Sequence, residues 1–252
     1  MPVERPYKRT VRQFVDGQYA EGGRWQYVMH QQFGGPPPGH YLRAFYLLQQ
    51  DMQRLFEYIE PAEQNLSCYS YRVHELLLRA CIEVEANCKA ILTANQYQVA
   101  RRLDMRDYRL IEQSHRLSAY QIQIPTWHGN GATRQPFLQW ATGGALPWYQ
   151  AYHASKHDRH ESFRQATFES MLDAVAAVAV LLSAQFWTYD FEPVSAIVGA
   201  FGPGDGFDAA LGGYLRVRFP DNWPLAGRYE FDWARLRNEE DPFQSFPYIV
   251  PT

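Results

Sequence analysis

The chain has 252 residues, a formal net charge of −3, 46% hydrophobic and 20% charged residues. This length buries a sizeable core, the hydrophobic share excludes a disordered chain, and the small charge excludes a general polyanion coat, so any nucleic-acid contact has to be a local patch. Aromatic residues stand out at 15%, with 7 Trp, 17 Tyr and 15 Phe.

Met1–Thr10 carries Glu4, Arg5, Lys8 and Arg9 with no apolar run behind them, unlike a secretory signal. Residues 1–39 read as an irregular or β-like segment ending in Gly34-Gly35-Pro36-Pro37-Pro38-Gly39, which no helix or strand interior tolerates. From His40 to Ile59, Leu42, Phe45, Tyr46, Leu48, Met52, Leu55, Phe56 and Ile59 recur at helical spacing, and Pro61 ends or restarts that helix. A second amphipathic helix is predicted over about Tyr69–Thr93. Its stripe is Val73, Leu77, Ala80, Cys81, Val84, Cys88, Ile91 and Leu92; Glu75, Arg79, Glu83 and Lys89 lie beside or opposite it, with Glu85 at the margin. Cys81 and Cys88 sit about 10 Å apart on that helix, too far for a bridge. With Cys68 the cysteine count is odd, so buried free thiols in a reducing cytoplasm are expected.

Arg101–Arg109 is basic and reads as helix or turn. In Leu117–Pro125 the period changes: Tyr120, Ile122 and Ile124 alternate with Gln121 and Gln123, which predicts a strand. A loop rich in Gly, Trp and Pro follows over Thr126–Pro147. Trp148–Trp187 gives the strongest helical pattern, and its uncharged run Ala174–Tyr189 is shorter than the ~20 residues a bilayer requires, so a core helix is expected and no membrane span. From Phe191 onward Gly and Pro become dense, with short strand candidates at Tyr214–Phe219 and Gly227–Trp233. The expected architecture is mainly α: a helical domain over 40–190 with a small β insertion at 117–147, and a β-rich C-terminal appendage over 191–252.

Most chemistry-bearing residues lie in Trp148-Tyr-Gln-Ala-Tyr-His153-Ala-Ser-Lys156-His157-Asp158-Arg159-His160-Glu-Ser-Phe163-Arg164. On one continuous helix, His153, His157, His160 and Arg164 share a sector about 60° wide, continuous with Phe168, Met171, Val175, Val178 and Leu182. They would then form a semi-buried cationic pocket that requires an anion. Asp158 to Glu161 also reads as an N-cap that starts a new helix. Three readings of the segment stay open. The basic residues satisfy free carbonyls at a helix end; or His153 and His157 share a divalent ion with Glu83 or Glu85; or a neutral His takes the proton of a ribose 2′-hydroxyl while Arg and Lys stabilise the phosphate, with no metal required.

The combination of Glu75-Leu-Leu-Leu-Arg-Ala-Cys-Ile-Glu83-Val-Glu85-Ala with Trp148-Tyr-Gln-Ala-Tyr-His-Ala-Ser-Lys-His-Asp-Arg159 resembles bacterial HEPN-like proteins, in the branch whose late helix carries an aromatic followed by Lys-His-x-Arg. The resemblance covers about residues 40–190. It implies an antiparallel helical bundle, homodimerisation, and metal-independent RNA cleavage in toxin–antitoxin, phage-defence or RNA-processing roles, with no cofactor. By motif it reaches His157 as general base or acid and Arg159 and Lys156 as phosphate clamps, with His153 as supporting acid. The family's catalytic order, Arg then four to six residues then His, is inverted here, since His157 precedes Arg159. That spacing occurs instead as Arg109–His115 and Arg24–His30. Many members of the superfamily are non-catalytic, so the alternative is an interaction module whose aromatic surface binds a protein partner or a second copy.

Elsewhere, no Gly-x-Ser-x-Gly occurs, and Gly202-Pro-Gly204-Asp-Gly206 lacks the Lys-Ser/Thr of a phosphate loop and reads as a turn. The Trp127-His128-Gly129-Asn130-Gly131 loop either packs over its own core or presents rings for base stacking.

Overall fold

The computed structural model describes residues 1–19, 39–188, 205–236 and 238–250. Gly34–Pro38, Arg24, His30 and the tail from Phe191 to Gly204 lie outside the described residues. Helix α1 (Gly39–Leu55) buries Leu42, Phe45, Leu48 and Met52 at the predicted spacing, but stops before Ile59, where the chain tightens into turns. Helix α2 (Tyr71–Ala94) starts where the Ser70 hydroxyl accepts from the Val73 amide at 3.2 Å, and its apolar stripe is buried as predicted. Two short helices follow, α3 (Met105–Tyr108), entered through an Asp104/Asp107 capping box, and α4 (Ile111–His115).

Strand β1 (Gln121–Gln123) forms within the predicted segment and pairs with β2 (Thr133–Arg134). The single long helix predicted over Trp148–Trp187 is instead three: α5 (Pro147–His157), α6 (Arg159–Ser162) and α7 (Phe168–Phe186). Asp158, at φ −137° and ψ 74°, leaves the helical region, and its backbone carbonyl accepts from the Ser162 amide at 2.9 Å. Tertiary contacts override the periodicity here. The break lets Phe163 pack on Tyr71, Tyr69 and His74, at centroid distances of 4.7, 5.6 and 5.6 Å. The first amides of α7 then donate to the carbonyls of Cys68 and Leu66 rather than to a preceding turn.

Helix α7 is apolar on every side and buried almost throughout. It is long and apolar enough to cross a bilayer by length and composition, but its apolar residues are covered by α2, α5, α1 and the sheet. Strands β3 (Asp208–Ala209) and β4 (Arg216–Arg218) pair antiparallel, and β4 pairs with β1, giving the order β2-β1-β4-β3. The insertion and the tail are therefore one sheet rather than two additions. Ile122 and Val217 face each other in register and are fully buried, while Gln121, Gln123, Arg216 and Arg218 bond across the opposite face. Arg134 of β2 donates to Asp173 at 2.7 Å and to Glu169 at 3.0 Å, pinning the sheet edge to α7. The fold is mainly helical with one small antiparallel sheet.

Gly227–Trp233, predicted as a strand, contributes only backbone bridges at Tyr229, and Trp233–Leu236 forms the helical turn α8. The N-terminal segment runs against this tail: the Val3 amide donates to Arg228, Tyr229 to Gln13, and Val11 to Ala184 of α7.

The Trp127 loop packs on the core. Its ring is buried, Glu63 accepts from the Trp127 indole at 3.1 Å and from the Gly131 amide, and the His128 amide donates to Pro61. Gly129 holds φ +114°, and a Cβ there would fall on the Glu63 carboxylate. Gly129→Ala is expected to cost about 1–3 kcal/mol in a urea titration. A loss below half a kcal/mol would show that the loop does not depend on this clamp.

Candidate functional site

The late-helix histidines do not form the core-facing pocket that one continuous helix requires. Because the chain breaks at Asp158, His153, His157, His160 and Arg164 are all exposed. His153 and His157 lie on adjacent turns of α5 with ring centroids 4.6 Å apart. Lys156, between them in sequence, is exposed and donates to the Tyr152 hydroxyl at 2.9 Å. Arg159 opens α6 by its backbone. Of the other two Arg-to-His spacings, the one within the described residues, Arg109–His115, forms no shared site. Arg109 donates to the Gly143 carbonyl, while His115 is fully buried, and Arg24 and His30 lie outside the described residues. Among the described residues no cluster of three His, Cys, Asp or Glu side chains is placed to hold a metal ion, and the three cysteines are free.

Helix α5 is set by its buried side. Pro147 occupies the first turn, where a missing amide costs nothing. Trp148 is buried, with its indole donating to Pro136 at 2.8 Å. Ala151 and Tyr152 pack inward, and Tyr149 sits half-buried at the edge. One face then runs Tyr149, Tyr152/His153, Lys156 at helical spacing. The Tyr149 hydroxyl donates to Glu85 of α2 at 2.9 Å, binding the two helices together.

The 101–109 segment brings further cations to this face. Its basic character is evident from the residues alone, whereas its place against α5 depends on tertiary packing. Arg101 is neutralised by Asp107, and Arg106 by Asp104. Lys89, Arg102, Arg109 and Lys156 have no carboxylate partner among the described residues. Two concavities open here. One, of about 380 Å³, is lined by Ile82, Glu85, Lys89, Arg102, Leu103 and Tyr108 among others. The other, of about 500 Å³, is lined by Arg106, Arg109, Trp140, Tyr149, Gln150 and His153 among others.

The titration behaviour follows from burial and neighbours. Burial pushes the Tyr149 phenol up, and its bond to Glu85 pushes it further. Burial raises Tyr152 against the opposing bond from Lys156, and burial holds Tyr108 at about 12. Lys156 is raised by its bond to Tyr152, so it remains a cation at neutral pH. The face therefore presents permanent cations and protonated phenols beside a pair of exposed imidazoles, a composition suited to phosphate esters rather than to nucleophilic acyl transfer. Compared with known proteins, the chain matches no family model, no curated protein and no solved structure.

Proposed function

We propose that this is a HEPN-like RNA-binding protein and metal-independent ribonuclease of a bacterial stress or phage-defence system, acting at the outer face of α5. The observation that supports it is a basic face on which Arg109 lines one cleft with His153, Lys89 and Arg102 line the neighbouring one, and exposed Lys156 lies on α5 with the His153 and His157 rings, whose centroids are 4.6 Å apart. One imidazole, neutral, takes the 2′-hydroxyl proton, and the second, protonated, supplies one to the leaving 5′-oxygen. Lys156 holds the phosphate, and Arg159 joins it by the Lys-His-x-Arg motif alone.

The test is cleavage of a labelled single-stranded RNA in EDTA. His157→Ala and His153→Ala are each expected to lower the rate by about 10²–10⁴-fold with an unchanged melting temperature, because both rings are exposed. Lys156→Ala is expected to weaken binding and reduce the salt slope by about one. Full activity in His157→Ala, or no RNA bound at all, would sink the proposal.

The interaction-module reading is favoured by a different surface. Tyr58, Tyr71 and Leu47 are 84%, 69% and 51% exposed, too high for core residues. Beside Tyr58 a groove of about 430 Å³ between α1 and α2 carries Asp51, Arg54, Arg72, Glu75 and Arg79. If this face joins two copies or a protein partner, Tyr58→Asp with Leu47→Asp abolishes the complex in light scattering and leaves RNA binding intact, since neither residue lines the two cationic clefts. A concentration-independent monomer mass that the double variant does not change removes the two-copy form of this reading.

A further inference from the structure

The two concavities on the cationic face share a wall. Glu85 lines the smaller one, Tyr149 lines the larger, and the hydrogen bond between them separates the two. Glu85 lines the smaller cleft; its Oε1 accepts from Tyr149, whereas Oε2 accepts from no described residue. A bound unit must therefore meet three demands at once. It needs an anion for Lys89 and Arg102, N–H or O–H donors for Glu85, and a flat apolar body for the Ile82, Leu103 and Tyr108 walls.

Inorganic phosphate meets only the first demand, and a small zwitterion lacks the flat body. A nucleotide unit meets all three. The cleft volume lies within the ~300–1,000 Å³ of small-molecule sites, and a second cation-rimmed cleft beyond the wall suits the next unit of a repeating anion. A base enters such a cleft only when unpaired, as in a single strand.

We propose that the smaller cleft is a base-reading subsite in which Glu85 selects guanine and disfavours uracil. This rests on the RNA-binding reading above and specifies which strand that face prefers. Guanine offers two adjacent N–H donors on its Watson–Crick edge, which a carboxylate accepts together. The single N–H of uracil lies between two carbonyls whose lone pairs oppose the carboxylate. The Tyr149 hydroxyl fixes the carboxylate before binding, so little is lost in ordering it. Lys156, close enough for its charge to act on Glu85, moderates the repulsion between that carboxylate and a neighbouring phosphate.

The experiment titrates the full chain, in EDTA at fixed salt, with fluorescein-labelled uridine hexanucleotides whose third base is uracil, guanine, adenine or cytosine. The sugars are 2′-fluoro, so no strand is cleaved. Guanine is expected to bind first and uracil last, about tenfold apart. Glu85→Gln keeps an acceptor for Tyr149 and is expected to bring the four strands within about twofold, with the guanine strand bound more weakly and the uracil strand more tightly than by the parent. Guanine ranking anywhere but first, or a guanine preference that survives Glu85→Gln, overturns the subsite and leaves RNA binding standing. If none of the four strands binds, the RNA reading falls and the subsite with it.

Discussion

Arg12→Ala is expected to lower global stability by on the order of 4 kcal/mol, read as a shift of roughly 10 °C in melting temperature. The Arg12 side chain is buried with no carboxylate partner among the described residues. Its guanidinium donates through Nε and Nη2 to the Ser114 carbonyl, at 3.1 and 2.8 Å, and through Nη1 to Gly227 at 3.1 Å. Rings surround it: Tyr7 and Trp223 at 4.7 Å, Phe246 at 5.3 Å and Tyr229 at 5.9 Å. A desolvated cation among aromatic faces is worth about 2 kcal/mol or more, and each charged hydrogen bond roughly 1.5–3 kcal/mol. Removing the group also leaves the buried Ser114 carbonyl and the half-buried Gly227 carbonyl without their donor.

The planar fork is what reaches both carbonyls at once, so Arg12→Lys is expected to lose most of the same stability although it keeps the charge. Urea titration of the parent and both variants decides this. A lysine variant within about 1 kcal/mol of the parent would show that charge, not fork geometry, holds the site.

Arg12 also marks what the sequence could and could not reveal. Helices α1, α2 and α7 were legible because their apolar residues repeat within a few turns. The α2 start, predicted near Tyr69, falls at Tyr71, where the Ser70 hydroxyl caps the first turn. The aromatic partners of Arg12 come from Tyr7 at one end and from Trp223, Tyr229 and Phe246 more than 200 residues away, and no spacing rule connects them. The same holds for the candidate site. His153, Lys156 and His157 were readable as a motif, but Lys89 and Arg102 reach that face only through the packing of α2 and the 101–109 segment. The break at Asp158 failed in the opposite direction. Periodicity favoured continuity, while Phe163 packing on Tyr69 and Tyr71 and the carbonyls of Leu66 and Cys68 favoured a turn. The local cap at Asp158 was the weaker signal and the one the fold follows.

Acid is expected to destabilise the chain through His115, next to Arg12. Its ring is fully buried. Nε2 meets the Arg9 carbonyl at 2.8 Å and must carry the proton, so Nδ1 accepts from the Ser114 hydroxyl at 2.7 Å. Burial drives its pKa from the ordinary 6.5 down to about 3, the Arg9 carbonyl opposes this, and the Arg12 charge adds to it. Below pH 6.5 the unfolded chain takes up a proton that the folded chain refuses. Stability from this group is therefore full above pH 6.5 and is lost progressively as pH falls toward 3, by on the order of 4 kcal/mol in all. His115→Gln keeps a donor and an acceptor but does not titrate. It is expected to start less stable than the parent at pH 8 and to close the gap steadily as pH falls to 4. Curves that stay parallel over that range would sink the assignment. Arg12→Met supplies the cross-check. Without the neighbouring cation His115 protonates more readily in the fold, so its share of the acid loss is expected to shrink even though the variant is less stable at neutral pH.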